Sequence, residues 1–433
     1  MKPNWKNIEN FLVFIFFFIL PFGRRHIFFN FGYQFGDFAA VAFYVSDIIA
    51  ILLIVMMFFK KDLWRKTTQN RIFVLLIAFL VIESIFSPHE TFSTFSLIKW
   101  IELALIFLFF SVSKVSYATI LKSLSVSGLF QALIGIGQFL KQSSLNLRFL
   151  GESVISPTIS GVAKIDTATG KFIRAYGTFA HPNQLAAFII AACATTLVLF
   201  LEEQDKIQKF FYLAAAFFLI LAEILSFSRA GWLGLAIMLA IVLFLPRGTK
   251  MEKSHKNKVF WVMGAGILAI ILTWPFLGSR ITVTDSSTTN RIYYDLSGLR
   301  ALKQSPILGF GLGQLMPTMA KVETYTQNWQ IQPPHNYFLD VACETGLLGL
   351  LVISYIFLKL LYDLSRRLKT GDSQSQNFKI FLFAVLIAFI ILMQFDHYFY
   401  TLQQTQLLLW AILGIICGTV FRETDLKKSR AYS

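Results

Sequence analysis

Residues 184–201 read QLAAFIIAACATTLVLFL, a run without a single charged side chain. A helix needs roughly 20 apolar residues to cross a bilayer, so this stretch is typical of a transmembrane helix. Eleven similar runs flank it, at residues 8–22, 39–59, 71–87, 97–113, 118–140, 210–227, 230–246, 259–277, 338–362, 378–394 and 405–421. The pattern predicts an all-α polytopic membrane protein with about 12 transmembrane helices, forming a single transmembrane domain. The first run is expected to stay as a signal anchor, because no small-residue cleavage site follows it.

The composition agrees with a membrane location. Of the 433 residues, 56% are apolar and only 15% are charged, whereas a soluble domain carries roughly 25% charged residues. The net charge of +15 is assigned to contacts with anionic lipid head groups, because no polar segment mixes basic and aromatic residues as a nucleic-acid site would. Cys193, Cys343 and Cys417 lie in apolar surroundings and predict neither a disulfide nor a metal site.

The distribution of Lys and Arg predicts the orientation in the membrane. With the N-terminus in the cytosol, the inside segments hold 25 Lys and Arg and the outside segments hold 14. Both termini are therefore expected inside, as are loops 60–71 and 247–258. Two long connections, 141–183 and 278–337, are expected outside. Loops of this length that are not low-complexity are usually functional.

The polar residues of unusual character fall on this predicted outer face. His181 and Asn183 end the first long loop, and Arg229 lies in a tight turn between two predicted spans. The second long loop carries the next four candidates, and the last outside turn carries an Asp-His pair. In full, the candidates are His181, Asn183, Arg229, Arg291, Arg300, His335, Asn336, Asp396 and His397. Their convergence predicts a polar site at the external membrane surface.

Each candidate has an alternative interpretation. Arg229 could extend its charge to the interface from a helix end, and Asn183 and Asn336 could cap the helices that follow. His335 could be an interface residue. Asp340 and Glu344, four apart on one helix face, could pair with an Arg or hold His335 in one tautomer. Glu102 and Glu223 lie within predicted spans, where acids are either functional or internally paired.

Other sequence features limit the chemistry. The segment Gly309-Phe310-Gly311-Leu312-Gly313 lacks the Lys-Ser/Thr ending of a phosphate loop and is interpreted as a flexible turn that could approach a substrate closely. No Asp-x-Asp, His-Glu-x-x-His or Gly-x-Ser-x-Gly motif occurs, so no metal and no cofactor is expected.

Guanidinium groups bind phosphate oxygens bidentately, and an imidazole can deprotonate a hydroxyl. Together they suggest group transfer from a lipid diphosphate to an acceptor hydroxyl.

Several segments, in order and spacing, resemble the bacterial O-antigen ligase and polymerase family. They are Gly177–Asn183, Ser228–Trp232, Asn290–Tyr293, Pro306–Gly311, Pro334–Leu339, Glu344–Gly349 and Asp396–Tyr398. The resemblance implies a GT-C-like glycosyltransferase architecture in the bacterial cytoplasmic membrane. It implies a glycan donor on undecaprenyl diphosphate, and a glycan, lipid-core or protein acceptor. By match, Arg229 and Arg291 would hold the donor diphosphate, with Arg300 as a substitute for Arg291, and His335 would act on the acceptor hydroxyl. The other candidates would support them.

Two other classes of protein remain open. A secondary transporter or a lipid or polysaccharide flippase would also suit twelve spans with intramembrane acids, although such proteins place their charged sites near the bilayer midplane. A structural scaffold of the cell envelope would have no need of converging Arg and His residues. Turnover of a lipid-linked glycan without a gradient or nucleotide would separate an enzyme from both.

Overall fold

The computed structural model describes residues 5–30, 40–60, 66–68, 70–88, 90–167, 170–245, 253–282, 286–322, 331–368 and 373–431. The chain divides into two compact units, each built from separate parts of the sequence. Unit 1 contains residues 1–24, 115–283 and 364–392, and unit 2 contains residues 25–114, 284–363 and 393–433. The prediction that the whole chain acts as one transmembrane domain stays a prediction.

Unit 1 is formed by helices and one short hairpin. In chain order these are α1 (Trp5–Ile19), α5 (Tyr117–Lys141), strands β3 (Lys164–Thr167) and β4 (Gly170–Ile173), α6 (Pro182–Glu202), α7 (Lys206–Leu225), α8 (Arg229–Phe244), α9 (Lys253–Thr282) and α13 (Ser373–Met393), the last of which ends one residue into unit 2. Helix α6 is central and packs against α5, α7 and α8. Residues 182–201 of this helix are all buried, as expected for a helix that is apolar on every side. A Cβ at Gly128 of α5 would lie 2.1 Å from Ala192 Cβ of α6, so the glycine permits the close approach.

Unit 2 contains the remaining elements. They are strands β1 (Arg25–Asn30) and β2 (Ala40–Tyr44), and helices α2 (Val45–Phe58), α3 (Arg71–Phe86), α4 (Thr91–Val112), α10 (Ser286–Gln304), α11 (Leu315–Val322), α12 (Tyr337–Ser365), α14 (Tyr398–Thr401) and α15 (Gln403–Ala431); α12 continues two residues beyond the unit boundary. Helix α4 packs along α15. Here Gly414 and Gly418 face backbone carbonyls of α4, and a Cβ on Gly414 would lie 2.4 Å from Phe107 O. Small residues again allow two helices to pack closely.

The predicted polytopic helical fold is confirmed in its coarser form. All twelve predicted spans fall on helices, and eight described helices are long and apolar enough to cross a membrane. Helices α1, α2, α3 and α8 have only 14 to 16 residues and are shorter than those eight. For α2 the physical reason is visible, because β2 takes residues 40–44 of the predicted span 39–59.

The two long connections are more regular than expected. Segment 141–183 contains the antiparallel hairpin β3–β4, and segment 278–337 contains α10 and α11. Residues 283–285 and 323–330 of the second connection lie outside the described residues, as do parts of the predicted cytosolic loops 60–71 and 247–258. The membrane side of all these loops stays a prediction.

Candidate active site

Three segments of unit 2 bring polar side chains together. Helix α10 carries Arg291 and Asp295 four residues apart, on one helix face. The segment before α12 carries His335, and the segment before α14 carries Asp396 and His397. Segments that precede helices provide three of these five residues, and the interior of α10 provides the other two.

Asp396 is the centre of this group. Its Oδ1 lies 3.5 Å from His335 Nδ1, and its Oδ2 lies 3.5 Å from a terminal nitrogen of Arg291. His397 Nε2 lies 3.8 Å from the same Oδ1, and the two histidine rings have centroids 5.1 Å apart. The structure therefore places a carboxylate between one guanidinium and two imidazoles.

The position of His335 is fixed from two sides. Its backbone N–H donates to Asp295 Oδ1 over 2.6 Å, and its ring lies beside the Asp396 carboxylate. With Nδ1 facing a carboxylate, the proton of a neutral imidazole is favoured on Nδ1. Nε2 is then the nitrogen that can accept a proton from another group. The side chain is 18% exposed, which leaves the ring accessible.

The titratable groups of the site differ in their pKa shifts. Burial alone would raise the pKa of Asp396, but His335, Arg291 and His397 outweigh it and hold this pKa well below its usual range. Burial lowers the pKa of His397 to about 3, against the opposing effect of Asp396. Burial also raises the pKa of Asp295, although His335 and Arg291 oppose the shift. Asp396 is thus an anion at neutral pH and His397 is uncharged.

Three side chains of the site carry atoms that could bind a metal ion. Ligand atoms of His335, Asp396 and His397 all lie within 4.8 Å of one another, and His397 Nδ1 is already hydrogen-bonded to Thr401 Oγ1 at 2.7 Å, as outer-shell partners of metal ligands often are. The sequence motifs did not indicate this set. However, Arg291 faces the other carboxylate oxygen, so a cation would share Asp396 with a fixed positive charge. The donor set therefore suits a metal less well than its spacing suggests.

The polar residues at the start of α12 mainly stabilise the helix and its neighbours, and for Asn336 the capping alternative applies. Asn336 caps the helix, with Oδ1 accepting from the N–H groups of Phe338 and Leu339 at 3.0 and 3.2 Å. Glu344 accepts from Tyr400 Oη and from Leu315 N–H, so the suggestion that it pairs with an Arg or orients His335 is wrong. Asp340 is fully buried, and its oxygens have no hydrogen-bond partner among the described residues. The carboxylate beside the His335 ring is that of Asp396.

Arg300 does not join Arg291. It follows nine residues later, about two and a half turns along the helix, which places it on the opposite face of α10. The residue is exposed. Of the two arginines, Arg291 is the one beside Asp396.

The remaining candidates lie in unit 1. Arg229 is exposed at the first position of α8, which Ser228 caps through the N–H of Gly231. His181 caps α6 by accepting from the N–H of Asn183 at 3.2 Å. The alternative in which Asn183 caps the helix is therefore wrong, because its Oδ1 accepts from a guanidinium nitrogen of Arg174 at 2.7 Å.

Arg174 was missed by the sequence reasoning. It is 5% exposed, and its Nε donates to the carbonyl of Ser226 at 2.5 Å. Arg174 thereby joins the end of β4 to the start of α6 and the end of α7. The available signal was a single arginine inside the apolar stretch Phe172–Tyr176, just before the segment that ends in His181.

Glu102 and Glu223, both within predicted spans, have different environments. Glu102 in unit 2 pairs with Lys99 at 3.0 Å, and Lys99 also contacts Asp47 at 2.7 Å. The internally paired interpretation thus applies to Glu102. Glu223 in unit 1 is fully buried, with no hydrogen-bond partner for either carboxylate oxygen among the described residues.

The glycine-rich segment approaches a helix. Gly309, Gly311 and Gly313 all have positive φ, and the N–H of Gly311 donates to Glu344 O at 2.8 Å. Helix α12 is interrupted at Gly346, where a Cβ would lie 2.1 Å from Ile307 O. The expected flexible turn is a packed one, and the close backbone approach is to the break in α12.

The fold and the site define a polytopic helical membrane protein with a His-Asp-Arg group in one unit. Residues 213–354 match the family model described as O-antigen ligase. The resemblance seen in the sequence is therefore confirmed over these residues. The matched region includes Arg229, Arg291 and His335 but ends before Asp396.

Two curated proteins are similar to the chain. One is the ComP-specific O-oligosaccharyltransferase of Acinetobacter baylyi (strain ATCC 33305 / BD413 / ADP1), 24% identical over 268 residues, covering 60% of this chain and 46% of that protein. The other is the exopolysaccharide production protein ExoQ of Rhizobium meliloti (strain 1021), 26% identical over 103 residues, covering 22% of this chain and 24% of that protein. The alignments thus span less than half the length of either relative.

Proposed function

We propose that the protein transfers a glycan from an undecaprenyl-diphosphate-type lipid carrier to an acceptor hydroxyl. The O-antigen ligase family region and the similarity to an O-oligosaccharyltransferase support transfer to an acceptor. The single observation that carries the proposal is Asp396 held between His335 and Arg291. This arrangement pairs a group that can take a proton with a group that can stabilise phosphate charge.

In the proposed reaction, the acceptor oxygen attacks the anomeric carbon of the donor sugar. The bond from that carbon to the diphosphate oxygen breaks, and the lipid diphosphate leaves with the electron pair. His335 Nε2 takes the hydroxyl proton, and anionic Asp396 stabilises the imidazolium that forms. One direct displacement of this kind inverts the configuration at the anomeric carbon.

Arg229 and Arg291 are proposed to bind the diphosphate. A guanidinium keeps its charge and offers a planar fork to phosphate oxygens. The charge that develops on the leaving group is greatest in the transition state, so donors aimed there accelerate the bond cleavage. Arg291 also contacts Asp396, which would couple donor binding to the position of the general base.

The proposed location is the bacterial cytoplasmic membrane, with both termini in the cytosol and the site on the outer face. The excess of Lys and Arg on the predicted inner segments supports this orientation. Ser254→Cys, in a background with Cys193, Cys343 and Cys417 replaced, should not react with an impermeant thiol reagent in intact cells. Labelling at position 254 from outside would reverse the orientation.

The reaction is proposed to need no metal, because Arg291 supplies positive charge where a cation would otherwise be required. The test uses purified protein, a lipid-diphosphate oligosaccharide extracted from native membranes, and candidate acceptors. Transfer is expected in detergent without a gradient or nucleotide, and in the presence of EDTA. Transport of the lipid-linked glycan by the protein in sealed vesicles, without product formation, would instead support the transporter or flippase alternative. Loss of transfer with EDTA, restored by magnesium or manganese, would contradict metal independence.

A further inference from the structure

A cavity of about 110 Å³ lies within unit 2 and has no role in the reaction described above. Its wall comes from β2, the first turns of α4 and α11, the second turn of α12, and the segment from α14 into α15. The residues that define its character are Ser96, Lys99, Trp100, Glu344, Tyr400 and Gln403.

The polar side of the cavity is built around Lys99. An ammonium has three N–H donors, and two of them face Asp47 at 2.7 Å and Glu102 at 3.0 Å. One donor remains for an oxygen of a ligand. The Gln403 amide donates to the same Asp47 at 2.5 Å. The side chains that present polar groups are therefore held in place before a ligand arrives.

The balance of charge selects against an anionic ligand. Asp47, Glu102 and Glu344 provide three carboxyl groups near a single ammonium. A diphosphate would find no uncompensated positive group, because the carboxyl groups of Asp47 and Glu102 already face the Lys99 ammonium. A prenyl chain would bury these polar groups without hydrogen bonds, at high cost. A neutral molecule with many hydroxyl groups fits both constraints.

The other side of the cavity is aromatic. Trp100 and Tyr400 have ring centroids 6.0 Å apart in an edge-on arrangement, and Phe92 and Phe95 complete the wall. Aromatic faces provide apolar contact for the C–H surfaces of a ring, while polar groups opposite fix its orientation. A sugar ring presents both kinds of surface.

The size of the cavity corresponds to one ring. A bound water needs roughly 10–15 Å³ of such volume, so the cavity holds on the order of ten non-hydrogen atoms. A single pyranose unit has about this many, whereas an oligosaccharide would extend beyond the walls.

The cavity adjoins the candidate active site through α14. Thr401 lines the cavity, and its Oγ1 lies 2.7 Å from His397 Nδ1, beside Asp396. Tyr400 also lines the cavity and donates through Oη to Glu344 at 2.6 Å. A ring in the cavity would thus contact the same short helix that supports the His335 group.

We infer that this cavity binds one neutral sugar residue of a glycan substrate and orients it relative to His335. The inference rests on the proposed function, because it assigns the sugar to that reaction. The residue could belong to the donor glycan or to the acceptor glycan. The two sources share the same recognition chemistry, and kinetics can separate them.

Filling the cavity tests the inference. Ser96→Met and Ala40→Met each add volume at a lining position and leave the Lys99 ion pairs intact. Thr94→Met is the matched control, since Thr94 is exposed on the same helix as Ser96. Two measurements are made on variants that elute as a single species with wild-type melting temperature. The first is equilibrium binding of the free glycan released from the native lipid-linked donor, and of free acceptor glycan. The second is the initial rate of transfer with donor and acceptor varied in turn.

The expected result is at least tenfold weaker binding of one glycan in both filled variants. Thr94→Met should bind that glycan as tightly as wild type. KM for the substrate that carries this glycan should rise by a similar factor, with kcat within about threefold, and that substrate identifies the source. Unchanged binding and unchanged KM in well-folded Ser96→Met and Ala40→Met would overturn the inference. If wild type binds a glycan in the cavity but transfers nothing, the proposed function fails and the sugar site stands. If wild type neither binds nor transfers, both fail.

Discussion

The two units each contain an arginine among polar partners, but the two environments differ. In unit 1, Arg174 is 5% exposed and donates to Asn183 and Ser226 over 2.7 and 2.5 Å. In unit 2, the Arg291 side chain is 29% exposed and lies 3.5 Å from Asp396. Short hydrogen bonds within the protein indicate a guanidinium that holds the fold together. A longer contact with open surface indicates one that can exchange its partner for a ligand.

The same difference in exposure is found between Arg229, which lies in a sequence motif, and Arg174, which precedes one. Arg229 is exposed at a helix start, although its motif partner Ser228 is used locally as a cap. Arg174 precedes the Gly177–Asn183 motif, and its guanidinium is hydrogen-bonded to Asn183 and Ser226. Exposure therefore separates Arg229 and Arg291, which are proposed to bind diphosphate, from Arg174, which stabilises unit 1.

The largest effect is expected at the centre of unit 2. Asp396→Asn keeps the shape of the side chain but removes the anion that faces His335 and Arg291. We expect transfer to fall by roughly 10²–10⁴, the range for losing an effective general base, with donor binding retained. Asp166→Asn, on an 81% exposed side chain, is the control. Transfer within twofold of wild type in Asp396→Asn would remove Asp396 from the site.

The next effect concerns the two arginines of α10. Arg291→Ala should slow transfer by roughly 10²–10³, because a donor that stabilises developing charge is lost. Arg291→Lys should be impaired less, since it retains the charge without the fork. Arg300→Ala, on the opposite helix face, should have a much smaller effect, and Lys303→Ala on the same helix serves as the control. A larger loss in Arg300→Ala than in Arg291→Ala would exchange their proposed roles.

For unit 1 the expected effect is on stability. Arg174→Met leaves the Asn183 amide and the Ser226 carbonyl without this donor, so the free energy of unfolding should fall by about 1–3 kcal/mol. Thermal unfolding in detergent measures the change, with exposed Lys171→Met as the control. Transfer per folded molecule should stay close to wild type. Normal stability with lost transfer would show that Arg174 acts on the substrate and would end the contrast between the units.

A smaller effect is expected from pH. The pKa of folded His397 is lowered to about 3 by burial, whereas an unfolded His has a pKa of about 6.5. Between these values the unfolded chain binds more protons, so stability should decrease as pH falls below about 6.5. His397→Gln should remove this part of the dependence. The melting temperature from pH 8 to pH 5 measures it, and an identical slope in both proteins would contradict the buried neutral state of His397.

Much of the fold could be predicted from hydropathy. Each of the twelve apolar runs coincides with a described helix over most of its length, because helix formation in a bilayer depends on local composition. Hydropathy did not separate β2 from α2, since both are apolar, and it could not show α10, whose sequence is largely polar. The division into two units depends on contacts distant in sequence, which hydropathy does not contain.

The sequence predicted which residues form the candidate site, but not which of their side chains contact one another. Motif spacing identified Arg291, His335, Asp396 and His397, and the structure brings these four together. It did not reveal that Asp396, rather than Asp340 or Glu344, faces His335, because that contact joins segments about 60 residues apart in the chain. Arg174 was missed for the same reason: its partners lie on α6 and at the end of α7.

The central claim is that His335 acts on the acceptor and not on the donor. The direct measurement is a single-turnover experiment on His335→Ala and wild type, with donor binding and glycan transfer recorded separately. His335→Ala should bind the lipid-linked donor with wild-type affinity and transfer roughly 10²–10⁴ times more slowly. Unchanged transfer in a well-folded His335→Ala, or loss of donor binding to the same extent as loss of transfer, would contradict the claim.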